Sequence, residues 1–290
     1  MRIKNFLNLK DSVDFYDIDV DTDNKQFFDP YLILTDRDQN YLNFKLSIES
    51  FFTTVTKNFY EGKEISYLFK HFDETKENRL GLSHIGSFNG NGTGKILSEL
   101  LESKIKEYLE LCPNVFSSLD ELSLFIKGIS NDRISDITTN ICLLDLIDFT
   151  NNQIKKYHID VKYSTKQLYV WDKNLNKWEK RSFDLPLING DCLILTPKKY
   201  CASKIKLGSF HNFVQIGILG YLKENYKYFG IPPQMKLTKD GDYIEQDPTK
   251  KSIISYYMSH DIDLFDSNEL IKIFSNTELQ QIILNFKNKN

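Results

Sequence analysis

The chain reads as an α+β protein with a central mixed sheet flanked by helices. Three observations predict this. Apolar residues recur at helical spacing towards both ends, as at Phe44, Ile48, Phe51, Phe52 and Val55, and again over residues 267–287. Strand-like runs cluster between about residues 124 and 196. Turn signals such as Asn189–Gly190 punctuate those runs. At 290 residues the chain is long enough for one large or two modest domains. Three regions are expected: a mostly helical stretch over 1–118 with a glycine-rich loop, a central α/β core over 119–230, and a helical region over 231–290.

Taken in order, residues 11–23 place aspartates at 11, 14, 17, 19, 21 and 23 between apolar residues, the pattern of a strand edge entering a loop. Asp19-x-Asp21-x-Asp23 starts like a calcium loop. Such a loop needs Gly at its sixth position and Glu at its twelfth, where this chain has Asn24 and Pro30. An EF-hand is rejected. The aromatic run at residues 27–33 is broken by Asp29–Pro30. Residues 43–60 and 61–72 both read as helical.

Residues 81–95, GLSHIGSFNGNGTGK, form the richest loop and precede a helix. Backbone N–H groups of such a loop can cradle phosphate, which makes Gly90, Gly92, Gly94 and Lys95 candidate phosphate-binding residues. Asn89 and Ile96 stand where a Walker A loop needs Gly and Ser/Thr, so that motif fails. A plain surface loop or hinge is the competing reading.

Residues 119–127 end in a short strand candidate, followed by the polar turn GISNDRISD. Thr138 or Thr139 then caps a helix running to about residue 156, with Ile141, Leu144, Ile147 and Ile154 as its apolar stripe. Residues 157–163 and 168–172 look like a hairpin turning at STKQ, and a second turn lies over 174–177 between Trp171 and Trp178. A strand over 192–195 ends at Pro197. The segment 211–228 reads as helical, 231–250 as loop, and 250–260 and 267–287 as terminal helices.

Composition bounds the partners. Apolar residues make up 41% and aromatics 13%, enough for a substantial core. A net charge of −3 demands no nucleic acid, but a nuclease needs only a local basic surface. The most basic short stretch holds Lys198, Lys199, Lys204 and Lys206, the candidate contacts for DNA phosphates. The cysteines at 112, 142, 192 and 201 have no CxxC spacing, which argues against structural zinc and for a reduced, cytoplasmic protein. No apolar run approaches the roughly 20 residues of a membrane span, so no membrane partner is expected.

The chemical constellation lies within residues 124–170. Asp132 and Asp136 sit in the polar turn, and Asp160-Val161-Lys162 lies in the strand-like run beyond the helix. Two positions apart on a strand, Asp160 and Lys162 would face one side. Hard Mg²⁺ prefers carboxylate oxygen and lowers the pKa of its bound water. Asp136 and Asp160 would hold the metal, Asp132 would be an additional ligand, and Lys162 would assist the water. The plain reading is a half-exposed strand beside a capped helix, with Asp136 favoured by the helix dipole and Arg133 fixing the turn.

Two resemblances bear on function. Asp136 with Asp160-Val161-Lys162 resembles the acidic residues and lysine of PD-(D/E)xK nucleases, which implies a restriction-endonuclease-like core and a Mg²⁺ cofactor. The departures are Ser135, where that pattern has Pro, and the helix between the motif halves. The segments NVFSSLDELSLFIKGISNDRISDITTNI and LPLINGDCLILTPKKY, with FFDPYLI and the glycine loop, resemble a group of uncharacterised bacterial proteins found near restriction and phage-defence genes. That resemblance implies a component of an anti-phage defence system. The chain is expected to be either a metal-dependent nuclease acting on DNA or a non-catalytic sensor or scaffold with a protein partner in a defence complex. A nucleotide-binding protein using residues 86–95 is a third reading.

Overall fold

A computed structural model describes residues 1–22, 24–73, 75–81, 93–111, 118–126 and 129–289, with the helical backbone alone over 93–97. The first elements are α1 (Ile3–Phe6), β1 (Phe27–Phe28) and α2 (Pro30–Thr35). Asp29–Pro30 starts a helix: Asp29 is the N-cap, accepting from the Tyr31 N–H, and Pro30 occupies the first helical position.

The central helix is α3 (Leu42–Tyr60), which buries Phe44, Ile48, Phe51, Phe52 and Val55 as their spacing predicts. It stops at Gly62, whose positive φ closes a Schellman cap: the Gly62 and Lys63 N–H groups bond the Phe59 and Asn58 carbonyls. The helix expected over 61–72 is therefore cut off, leaving a 3₁₀ turn at Ser66–Phe69. α4 (Thr93–Leu111) follows and packs against that turn.

The short strand expected at the end of residues 119–127 is not seen among the described residues, which reach 126. Leu119, Leu122 and Phe125 recur every third residue and are all buried, a spacing that suits the observed 3₁₀ turn Leu119–Glu121 and α5 (Leu122–Phe125). From Asn131 onward the segment read as a polar turn is also helical. Ser130 caps α6 (Asn131–Ile141) by accepting from the Arg133 N–H, so the cap lies eight or more positions before Thr138 and Thr139. α7 (Leu143–Lys156) follows after a break at Cys142.

β2 (Lys162–Asp172) and β3 (Lys177–Ile188) make one long antiparallel hairpin in which Trp171 faces Trp178 and Lys162 faces Leu187. STKQ stays within β2, because it lacks a residue suited to positive φ. The turn falls at 173–176, where Asn176 adopts φ 52°. Asp160 and Val161 precede the strand. Asn189 and Gly190, both at positive φ, join β3 to β4 (Asp191–Cys192). Residues 193–195 run on without a ladder; their N–H groups bond the Pro186 and Glu77 carbonyls and Thr150 Oγ1. β5 (Cys201–Ala202) pairs with β1.

Next come α8 (Phe210–Asn212), a π-helical stretch (Phe213–Ile218) and α9 (Leu219–Glu224). The region read as loop contains a second hairpin, β6 (Gln234–Leu237) and β7 (Tyr243–Gln246). α10 (Lys250–Met258), α11 (Ser267–Ile273) and α12 (Asn276–Lys289) end the chain.

The architecture is α+β, but in place of the expected central mixed sheet the described residues form three small antiparallel sheets, β1–β5, β2–β3–β4 and β6–β7. Tight turns join β2 to β3 and β3 to β4, whereas parallel pairing needs long crossovers. A closed restriction-endonuclease-like sheet is not seen among the described residues. None of the described helices is long and apolar enough to cross a membrane.

The turn end of the β2–β3 hairpin is anchored to the helices. The Trp171 ring lies 5.0 Å from Phe51 and 5.6 Å from Trp178, edge to face. Trp171 Nε1 donates to Ser50 Oγ at 2.8 Å, and Trp178 Nε1 to the Leu68 carbonyl at 2.8 Å. Lys173 reaches in from the turn to Asp145 Oδ1 at 2.6 Å, and Ser47 donates to the other oxygen of that buried carboxylate. Lys173→Ala leaves Asp145 buried without its cation and is expected to cost about 3–5 kcal/mol in denaturant unfolding. Replacing both by Met and Asn should cost clearly less.

A second buried carboxylate has no cation bonded to it among the described residues. Asp29 is fully buried and accepts the Tyr31 and Lys206 N–H groups at 2.9 and 2.7 Å. Burial pushes its pKa up to about 6 from 3.8, against the pull of those two N–H groups. The folded state thus holds this proton more tightly than the unfolded chain. The stability it confers is present below pH 3.8 and lost as pH rises through about 6. Asp29→Asn should move the stability difference from the parent by about 3 kcal/mol in the variant's favour between those limits, measured as unfolding free energy against pH.

Candidate functional site

A groove of about 470 Å³ opens where three chain reversals meet: Phe6, Leu7 and Asn8 after α1, residues 157–162 between α7 and β2, and Asn189–Gly190 with Leu187 at the end of β3. Each reversal has a local cause. Asn8 (φ 55°) and His158 (φ 51°) are the left-handed residues of Schellman caps on α1 and α7. Leu9 N–H bonds the Lys4 carbonyl and Ile159 N–H the Ile154 carbonyl, while the Asn8 and His158 N–H groups bond Asn5 and Lys155. Asn189–Gly190 is the two-residue hairpin turn. The left-handed backbone around the groove is thus explained by chain reversal.

His158, Asp160 and Lys162 all line the groove. All three are exposed, and their side chains make no hydrogen bond or ion pair with the described residues. Asp160 lies in the connection leaving α7, and Lys162 is the first residue of β2. An Asp-x-Lys pair is present, with Lys162 alone on the strand.

Asp132 and Asp136 lie elsewhere; neither lines the groove. They are one helical turn apart on α6. Asp132 sits in its first turn, where the helix dipole favours a carboxylate, against the backbone of Gly81. A Cβ at Gly81 would approach Asp132 Oδ1 to 2.5 Å. Asp136 is buried, with Arg133 Nη1 3.9 Å from its carboxylate. Asn140 Nδ2 bonds the Asp136 and Asp73 carbonyls, which ties this face of α6 to the chain near residue 73. The structure therefore groups Asp160 with Lys162 in the groove and Asp132 with Asp136 on α6, outside it. Among the described residues, no group of three or more His, Cys, Asp or Glu is placed to hold a metal ion.

The lysine stretch is divided as well. Lys199 Nζ lies 2.5 Å from Asp36, 3.0 Å from Asp38 and 3.8 Å from the Tyr41 ring centroid. Burial works against its charge, but the bonds to Asp36 and Asp38 win and raise its pKa. Its positive charge is neutralised within the protein. Lys198, Lys204 and Lys206 are exposed, and the Lys206 N–H caps Asp29. Gly90 and Gly92 lie outside the described residues; Gly94 and Lys95 fall in the first turn of α4.

The sequence reading missed Phe6, Leu7, Asn8 and Tyr157 as groove residues. Asn189–Gly190 was visible as a turn, but nothing local connects it with residue 7. The cap geometry carries a direct consequence. Glycine suits the left-handed cap position that His158 occupies, so His158→Gly is expected to raise stability by about 1 kcal/mol, read as a higher thermal midpoint.

Residues 6–206 match the model of a family described as a domain of unknown function, DUF8370. That span includes the groove and the β2–β3 hairpin and leaves out β6–β7 and the last helices. The chain matches no curated protein and no solved structure. With more than two thirds of its length covered by the family model, the chain belongs to the DUF8370 family.

Proposed function

We propose that the chain is a non-catalytic binding subunit of a bacterial anti-phage defence complex. The defence setting comes from the sequence resemblance. The binding role is carried by one observation, the β6–β7 hairpin. Met235 and Leu237 alternate onto one face, with Tyr243 opposite Leu237 and the exposed Glu245 opposite Met235, and the three apolar side chains are 56%, 55% and 66% exposed. An isolated two-stranded hairpin is marginal in water, and its substantial contacts are between its own strands. Covering the apolar face with a protein partner would remove it from water and add the packing the hairpin lacks.

A second reading, a metal-dependent nuclease acting on DNA, is favoured by Asp160 and Lys162 sharing a groove without protein partners. The donor set fits Mg²⁺ poorly. The groove offers one carboxylate, with the side-chain oxygens of Asn8 and Asn189, while Asp132 and Asp136 lie outside it.

Phage plating on cells carrying the chain with its neighbouring genes separates the readings. The Met235→Ser/Leu237→Ser/Tyr243→Ser variant should lose protection while keeping its fold, since exposed substitutions change stability by only about 0.5 kcal/mol. Asp160→Ala should protect like the parent, and neither protein should cleave DNA with Mg²⁺ or Mn²⁺. Lost protection and lost cleavage in Asp160→Ala, with the triple variant unaffected, would replace the binding reading by the nuclease one.

A further inference from the structure

The β2–β3–β4 sheet has β3 in its middle, so β2 is an edge strand. At its buried end, Val170, Trp171 and Asp172 pack into the protein. Over residues 162–169 the strand stands in solvent: Ser164 and Leu168 are half-buried and the other six residues exposed. Every second residue of an antiparallel edge points its N–H and C=O away from its partner. Among the described residues no backbone or side-chain group bonds the outward-facing amides of this stretch. A long edge of this kind is a template for strand addition.

Charge selects the occupant. Residues 162–169, KYSTKQLY, carry two lysines and no carboxylate. On β3 the facing stretch, residues 180–187, adds Lys180, Arg181 and Asp184. Lys166 is paired with Glu77 at 2.6 Å, so the positive charge of the edge rests on Lys162, which has no anionic partner among the described residues. A second copy of β2 would bring the same lysines and no carboxylate to the exposed stretch. The lysines that discourage self-pairing favour a strand of opposite charge. Tyr163, 49% exposed, offers apolar contact to an added strand, while Tyr169 on the same face is stacked on His71 at 4.0 Å.

We infer that the outer edge of β2, over residues 162–169, takes up an extended acidic segment of a protein partner as an added strand. This rests on the binding-subunit reading but uses a different surface from the β6–β7 hairpin.

The test uses the full chain and synthetic peptides that alternate glutamate with valine or tyrosine. Controls carry lysine for glutamate, or N-methyl groups on alternate amides. Hydrogen exchange of the free chain should show every second amide between Lys162 and Tyr169 exchanging fast, and the acidic peptide should protect them. Binding should weaken with salt and be lost with the N-methylated peptide. Lys162→Glu should weaken it roughly five- to tenfold, from reversing one cross-strand charge pair. Equal binding of the lysine peptide, binding that leaves the β2 amides unprotected, or no binding would overturn the inference. So would β2 protection that rises with the concentration of the chain alone, which would make a second copy the occupant. If no peptide binds while the hairpin triple variant still abolishes phage protection, the edge inference alone fails. If the β2 amides are protected while the triple variant protects normally, the hairpin reading alone fails.

Discussion

The anchoring of one end of the β2–β3 hairpin to α3 and α7 is the constraint on which the rest depends. Trp171 and Trp178 insert their rings around Phe51 and satisfy their indole N–H groups on Ser50 and Leu68. Lys173 closes the same end on Asp145. Anchored there, β2 runs 11 residues back to Lys162, rising about 3.3 Å per residue, while its partner β3 re-enters the core at Leu185 and Ile188. That distal end holds Lys162, the groove and the exposed edge. The hairpin is thus held in the core at its turn and again through Leu185 and Ile188 of β3, while residues 162–169 of β2 stand largely in solvent.

Buried charge does a related job at the other side of the molecule. Lys287 on α12 lies 2.9 Å from Asp120 and 2.7 Å from Glu121, both buried, and its carbonyl accepts from Tyr31 Oη. Phe286 beside it stacks edge to face on Phe213. Ion pairs of this kind contribute little net stability compared with apolar packing, but breaking one leaves a buried charge. They therefore hold the last helix, which lies beyond the family match, in one position against residues 118–125. Asp29, a few residues from Tyr31, has two N–H donors instead of a cation and retains its proton to a higher pH.

Much of the fold was legible where a pattern was long and local. The α3 stripe, the terminal helices, the Asn189–Gly190 turn and the strand character around Trp171 all followed from spacing and turn chemistry. The errors came where local signals compete. GISNDRISD reads as a turn because polar residues dominate it, yet Ser130 makes it the start of a helix whose inward face includes Asp136. STKQ reads as a turn because it is polar, yet nothing in it favours positive φ, and the ladder with β3 runs straight through. Lys199 reads as a free cation because Asp36 and Asp38 are far away in sequence.

For the candidate site, the sequence by itself determined that Asp160 and Lys162 lie close together and that an α-helix precedes them. Both facts follow from covalent connectivity and helical periodicity over a few turns. Only the tertiary structure decided that Asp132 and Asp136 face the chain near residues 73–81, that residues 6–8 and 187–190 complete the groove, and that the outer edge of β2 is left uncovered. These depend on where helices and strands pack after the core closes, and burial of apolar side chains specifies that jointly over the whole chain, leaving no short-range trace in the residues that end up as neighbours.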